Sequence, residues 1–242
     1  MISVCMATYN GERFIKEQLD SILAQLSDLD EVIISDDGSS DSTISIIKGY
    51  NDRRIKLLHF RRNKVGIEPV HLITTNFENA LRHCRGEYIF LSDQDDVWLA
   101  NKVSIMMEYL LEYDYVVSDC VVVDSKLNLV QQRLFGSPLM ERANRQKYKA
   151  LIGRVVAHGA SSAFRREILR RAMPFPKGIQ SHDRWLGFVA MFYYRYRAID
   201  KVTVLYRRHS DNASSSSTLK SSNGLMKRVA IRFRYMWELV RI

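Results

Sequence analysis

Short apolar runs alternate with amphipathic stretches along the first 112 residues. Residues 2–7 form the first run and Thr8-Tyr9-Asn10-Gly11 breaks it; from Glu12 to Leu26, Phe14, Ile15, Leu19, Ile22, Leu23 and Leu26 recur with the period of a helix. Residues 31–35 read as a second buried strand. It ends in Asp36-Asp37-Gly38-Ser39-Ser40-Asp41-Ser42-Thr43, a turn-and-cap cluster that leads into a helix through Ile44, Ile46 and Ile47. The unit then repeats. A strand over 55–60 precedes a helix over 70–84 behind Pro69, and a strand over 87–92 closes on Asp93-Gln94-Asp95-Asp96 before a helix over 101–112.

This alternation predicts an α/β fold, a parallel sheet with helices on both faces, in which polar residues at the carboxyl ends of the strands build the site. Beyond residue 115 the pattern is mixed, with strands predicted at 115–123, 160–164 and 202–208 and helices near 166–172 and 183–193. Residues 213–224 are serine-rich and read as a flexible loop dividing a domain over 1–212 from a helix over 225–242. Met226, Val229, Ala230, Phe233, Trp237 and Val240 fall on one stripe of that helix, and Lys227, Arg228, Arg232, Arg234 and Arg241 lie largely elsewhere. It is a basic amphipathic helix.

With 242 residues, 46% hydrophobic, and only 4 prolines, the chain can bury a sizeable core, which excludes intrinsic disorder and collagen. Cys5, Cys84 and Cys120 are far apart and odd in number, arguing against a disulfide framework or a structural zinc site. There is no run of 18 apolar residues and no basic segment at the start, so the expectation is a protein neither secreted nor membrane-spanning. Charge divides the chain: residues 1–132 carry a net −8 and residues 133–242 a net +17. An acidic half suits a metal ion, and a basic half suits phosphates or an anionic surface.

The Asp93-Gln94-Asp95-Asp96 cluster places carboxylates where a hard divalent cation binds through one or two protein oxygens and keeps positions for substrate phosphates. Turn chemistry alone is the plainer use of such a string. Asp36-Asp37 at the second strand end suits a base N–H or a ribose hydroxyl, but the first turn lacks the glycines of a dinucleotide fingerprint, which argues against a Rossmann dehydrogenase. Asp183 stands at a helix start, where amide dipoles favour an ionised carboxylate.

Thr8-Tyr9-Asn10, the Asp36–Thr43 cluster and Ser92-Asp93-Gln94-Asp95-Asp96-Val97-Trp98 together resemble the family 2 glycosyltransferases of GT-A fold. Gly86-Glu87-Tyr88-Ile89, His182-Asp183-Arg184-Trp185 and Tyr206-Arg207-Arg208-His209-Ser210-Asp211-Asn212 add to the resemblance, which covers residues 1–212. It implies a mixed, mainly parallel sheet and an inverting, metal-dependent transfer from a nucleotide-sugar donor. By this resemblance Thr8, Tyr9, Asn10 and Glu12 line the nucleotide, and Asp37 with Asp36 binds the base or ribose. Asp93 and Asp95 form the Asp-x-Asp pair, Asp95 being the direct ligand of Mn2+ or Mg2+. Asp183 matches the catalytic base, and His209 meets phosphate or metal. His158 and Gly159, within the segment 155–162, border the acceptor, as do His182 and Trp185; packing in the core is the alternative for His158, and for the tryptophan the alternative to stacking on a sugar.

The sequence departs from the family in one place. Asn63-Lys64-Val65-Gly66 is present after the third strand, but Thr74-Thr75-Asn76-Phe77 replaces a segment that carries an arginine in many relatives. The Ser-Asp-Gln-Asp-Asp-Val-Trp and His-Asp-x-Trp strings look most like the rhamnosyltransferase branch, which implies dTDP-rhamnose or a UDP-hexose as donor. The acceptor implied is a saccharide or a polyprenyl-diphosphate-linked saccharide in cell-envelope polysaccharide synthesis. The basic helix then suits an anionic membrane surface, with the protein cytoplasmic and peripheral at the inner face, though its stripe fits the protein's own core equally well. The rival reading is a non-catalytic anion- or membrane-binding module built on the basic half. No nucleic-acid-binding motif accompanies those basic residues.

Overall fold

The computed structural model describes residues 1–60, 69–145, 156–179, 181–210, 212 and 225–242, with side chains of the last helix from Phe233 onward. The segments 61–68 and 213–224, and with them the Asn63–Gly66 string and the serine-rich loop, lie outside the described residues.

Four strands and three helices alternate first: β1 (Ile2–Thr8), α1 (Ile15–Leu23), β2 (Glu31–Asp36), α2 (Thr43–Gly49), β3 (Ile55–His59), α3 (Pro69–His83) and β4 (Tyr88–Ser92). Proline at the first position of α3 loses no hydrogen bond, since that N–H has no intrahelical partner. After β4 come β5 (Val97–Trp98), α4 (Lys102–Leu110), β6 (Tyr115–Val123), β7 (Leu129–Gln131) and α5 (Ser137–Arg145). A 3-10 turn at Gly159–Ser161 precedes β8 (Ser162–Arg165), α6 (Leu169–Ala172), α7 (His182–Tyr193), β9 (Tyr196–Arg207) and α8 (Leu225–Arg241).

The strands form one sheet in the order β3-β2-β1-β4-β8-β6-β9-β5, with β7 paired to β6. Strands β3, β2, β1 and β4 are mutually parallel, whereas β8 runs antiparallel between β4 and β6. The sheet is therefore mixed. The chain winds outward from β1 to β3 and then returns to β4 on the other side of β1, a reversal that opens a crevice at the carboxyl ends of the strands.

Alternation along the strands sends side chains into two cores. Val4, Met6, Val32, Ile34 and Phe90 pack with Ile15, Leu19 and Ile22 of α1 and Met106 of α4 on one face. Cys5, Ile33, Ile89 and Leu91 pack on the other face with Phe77 and Leu81 of α3, Trp185 and Val189 of α7, and Tyr235 and Leu239 of α8. The last helix is thus held on the domain by Tyr235 and Leu239. Both lie outside the apolar stripe read from the sequence, whose described members Phe233, Trp237 and Val240 remain 73%, 63% and 79% exposed.

Candidate active site

Strands β1 and β2 end in register, with Thr8 opposite Asp36. Thr8 Oγ1 donates to Asp36 Oδ2 at 2.8 Å, and the N–H groups of Gly38 and Ser39 donate to Asp36 Oδ1 at 3.0 and 2.8 Å. Gly38 supplies the positive φ of 80° that this turn requires. Asp36 is fully buried and its carboxylate builds the turn beside Asp37. Asn10 Oδ1 accepts the Ser40 N–H at 2.9 Å and Glu12 Oε2 accepts the Ser42 N–H at 2.8 Å, lacing the first loop to the second. Tyr9 is half exposed, at 51%.

Gln94 joins this loop to the acidic cluster. Its Oε1 accepts the Tyr9 N–H at 2.9 Å and its Nε2 donates to the Tyr9 carbonyl at 3.0 Å. Gly11 permits the approach, because a Cβ there would stand 2.4 Å from Gln94 Oε1.

The acidic cluster follows β4. Burial, then the neighbouring Asp95 and Asp183, push the Asp93 carboxyl up to about 7. Asp96 is fully buried and pushed well above the usual range by burial and by Asp95 and Asp93; its Oδ1 accepts the Arg207 N–H at 2.9 Å. Buried cations stand against this charge, Arg207 and Lys102 among them. Lys102, the first residue of α4, donates to the Ala160 carbonyl and lies 4.1 Å from the Trp98 ring centroid. Burial pulls its ammonium down to about 7, while Asp96 acts in the opposite direction.

Asp95 faces the end of β9. His209 Nε2 stands 2.9 Å from Asp95 Oδ2, Asn212 Nδ2 donates to that oxygen at 3.2 Å, and Asn212 Oδ1 accepts the His209 N–H at 2.6 Å. Among the described residues no three His, Cys, Asp or Glu side chains are grouped so as to hold a metal ion by themselves. The donor types nevertheless suit an open site for Mn2+ or Mg2+: the Asp95 carboxylate meets the His209 imidazole, next to Asp93, whose ionised form burial and then its like-charged neighbours disfavour.

Asp183 lies in the first turn of α7. Its Oδ1 accepts the Arg184 N–H at 2.7 Å and its Oδ2 the Gly159 N–H at 3.2 Å. Burial opposes its ionisation, but His182 and a hydrogen bond from Ser181 outweigh burial and hold the carboxyl below the usual carboxylate range. His182 is itself pulled down to about 4 by burial, so its positive charge helps only in acid. At neutral pH the hydrogen bonds keep Asp183 ionised.

The acceptor-side residues divide. Gly159 touches Asp183, and a Cβ there would lie 3.2 Å from His182 Nε2. The His182 ring stacks on Phe77 with centroids 3.7 Å apart, and neither ring nitrogen has a hydrogen-bond partner among the described residues. His158 meets the Tyr206 ring edge-on at 4.7 Å, its Nδ1 lies 3.0 Å from Ser161 Oγ, and burial lowers it to about 4. Trp185 is fully buried, donates from Nε1 to the Ala172 carbonyl at 2.8 Å, and packs against Tyr235. It is a core residue, which corrects the alternative that it stacks on a sugar.

Several residues at the site escaped the sequence reading of their roles. Arg207 is 3% exposed and binds the Asp95 carbonyl; Lys102 and Asn212 join the acidic cluster. A lysine at a helix start reads as surface, whereas Arg207 directly follows the largely apolar run Val202–Tyr206 and continues its strand. The segment that departs from the family is engaged as well. Asn76 Nδ2 donates to the Thr8 carbonyl at 3.2 Å, and Phe77 backs His182.

The family model "Glycosyl transferase family 2" matches residues 3–173. A UDP-Glc:alpha-D-GlcNAc-diphosphoundecaprenol beta-1,3-glucosyltransferase of Escherichia coli is 31% identical over 114 residues, 46% of this chain and 42% of that protein. The chain thus matches less than half the length of that relative. A dTDP-rhamnosyl transferase of Shigella flexneri is 28% identical over 226 residues, covering 86% of this chain and 72% of its own. The structure of S. aureus TarS 1-349 in complex with UDP-GlcNAc superposes with a TM-score of 0.67 at 20% identity, over 100% of this chain and 73% of that one. A Pyrobaculum calidifontis mannosyltransferase in complex with GDP-Man and Mn2+ gives 0.59 at 26% identity, over 84% of this chain and 55% of that one. Fold, strand-end residues and family match agree: the chain is a GT-A glycosyltransferase domain and belongs to glycosyl transferase family 2.

Proposed function

We propose that this protein transfers a sugar, with inversion, from a nucleotide-sugar donor to a saccharide or lipid-linked saccharide acceptor in polysaccharide synthesis. The observation that carries the reading is the convergence of Asp93, Asp95 and Asp183 from two distant parts of the chain: Asp95 meets His209, Asp183 accepts the Gly159 N–H, and both add to burial in raising the Asp93 carboxyl. Such a concentration of negative charge suits a site that receives a cation and a diphosphate.

Asp183 is the base. It is ionised at neutral pH, held by two backbone N–H groups, and takes the proton of the acceptor hydroxyl as that oxygen bonds to the anomeric carbon. The bond from the anomeric carbon to the diphosphate oxygen breaks on the opposite face, and the electron pair leaves with the nucleoside diphosphate. Asp95 and His209, with Asp93 beside them, would hold Mn2+ or Mg2+, which when bound neutralises charge on the departing diphosphate. Asp37 and Tyr9 line the nucleotide side. Gly159 and His182 border the acceptor.

The match to the dTDP-rhamnosyl transferase over most of both chains supports dTDP-rhamnose as donor, with a UDP-hexose second. The glucosyltransferase relative names a diphosphoundecaprenol-linked acceptor, which supports an acceptor carried on a polyprenyl diphosphate. An enzyme for such an acceptor works at a membrane. No helix among the described residues is long and apolar enough to cross one, but α8 presents Phe233, Trp237 and Val240 to solvent beside Arg234 and Arg241, a combination suited to the inner, anionic leaflet.

Turnover of dTDP-rhamnose and of UDP-hexoses, measured as release of nucleoside diphosphate with a lipid-linked saccharide present, tests the reading. Asp183→Asn should lower kcat by roughly 10²–10⁴-fold, the usual contribution of a general base, with an unchanged melting temperature. Full activity in that variant would refute the assignment.

A further inference from the structure

Arg207 ends β9 and is 3% exposed, yet its guanidinium contacts no residue assigned to substrate. Its donors are directed to three separate segments. Nε donates to the Asp95 carbonyl at 2.8 Å, Nη1 to the Ser125 carbonyl at 2.9 Å, and Nη2 to the Glu17 carboxylate of α1. Its own N–H binds Asp96 Oδ1 at 2.9 Å. The guanidinium carbon lies 4.5 Å from the Phe14 ring centroid, and the His209 ring packs on Phe14 as well, with centroids 4.8 Å apart.

These contacts close a ring. From Phe14 and Glu17 it runs through Arg207 to the Asp95 carbonyl and the Asp96 carboxylate, across the Asp95–His209 contact, and back to Phe14. Asp95 sits in a loop between β4 and the two-residue strand β5, too short to fix a carboxylate unaided. A planar guanidinium with several donors at fixed angles suits this task, and an ammonium on a flexible stem does not.

We propose that Arg207 is a positioning residue of the metal site, setting where the Asp95 carboxylate stands relative to His209, with Glu17 of α1 and Phe14, which precedes that helix, as its anchor. The inference rests on the reading of Asp95 as a metal ligand. Arg207 touches neither ligand's metal-binding atoms and acts through the Asp95 main chain and through Phe14, so its loss loosens the site without removing a ligand. Residues that orient metal ligands typically change metal affinity by about 10–100-fold when replaced.

Mn2+ binding, followed by electron paramagnetic resonance in the presence of dTDP and separately of UDP, tests this without any reaction. Arg207→Lys should raise the dissociation constant for Mn2+ by about tenfold or more. Glu17→Gln and Phe14→Leu, at the far end of the ring, should each weaken binding by about threefold while retaining the wild-type melting temperature. They carry the test if Arg207→Lys does not fold. Asp95→Ala should abolish binding. Loss of binding in Asp95→Ala with wild-type affinity in the clamp variants would overturn the positioning role and leave the metal reading standing. Wild-type affinity in Asp95→Ala would overturn the metal reading, and the clamp with it.

Discussion

Two histidines flank the proposed base, and burial drives both in one direction. His158 and His182 are pulled down to about 4, whereas in the unfolded chain each protonates near its ordinary value of about 6.5. Between those values the unfolded chain binds protons that the folded chain refuses, so stability falls as pH drops from about 6.5 towards 4, by about 1.4 kcal/mol per pH unit for each histidine. Denaturant melts across that range should show the slope, and His182→Phe, which keeps the stack on Phe77, should remove one proton from it. An unchanged slope in His182→Phe would mean that His182 ionises freely in the folded protein. Residue identities at the site were legible in the sequence because polar clusters interrupt apolar runs, as at Asp93–Asp96 and Asp36–Thr43. Their division of labour was not. That Asp36 builds the turn depends on hydrogen bonds from Thr8, Gly38 and Ser39, and that Trp185 packs inside depends on α8, neither of which local spacing reveals.

At the scale of elements, the alternating first half was readable because each strand carries a continuous apolar run and each following helix an amphipathic one. The elements absent from the sequence reading lack that signal. Strand β5 has two residues, β7 is exposed along its whole length, and α5 turns inward mainly through Met140 and Ala143. Strand β9 begins at Tyr196, six residues before the predicted start, because Asp200 and Lys201 interrupt its apolar pattern where its register with β6 shifts. The parallel strands β1 and β4 meet at a backbone contact that permits no side chain: a Cβ on Gly86 would stand 2.6 Å from the Ser3 nitrogen, and the Gly86 N–H donates to Ser3 Oγ at 2.7 Å. Gly86→Ala should therefore cost about 1–3 kcal/mol, lowering the melting temperature by roughly 2–12 °C. Nucleotide affinity should be unaffected, since this contact lies at the amino ends of the strands, away from the site. Calorimetric melting and a nucleotide titration of the same variant check both statements. A wild-type melting temperature would contradict the close approach.

At the scale of the whole molecule, the division of charge acquires a spatial meaning. The acidic first half supplies Asp36, Asp37, Asp93 and Asp95 to one sheet edge, and the basic second half ends in a helix with two apolar faces. The sequence showed only one of those faces. Tyr235 and Leu239 were hidden among arginines, and contact with the core distinguishes them from Phe233, Trp237 and Val240. Replacing those three exposed residues by serine should release the protein from vesicles containing anionic lipid without lowering its melting temperature, and a sedimentation assay reads both bound and free protein. Undiminished vesicle binding would contradict a membrane-facing α8. The central claim, a nucleotide-sugar site completed by a metal ion, is tested most directly by thermal shift against UDP, dTDP, GDP and CMP, each with and without Mn2+. A ligand at a hundred times its dissociation constant adds about 2.7 kcal/mol, a rise of roughly 5–11 °C for a chain of this size. The account predicts that one nucleoside diphosphate gives this rise only with Mn2+ and that Asp95→Ala abolishes it; no shift with any nucleotide in the presence of metal, or an equal shift in Asp95→Ala, would contradict it.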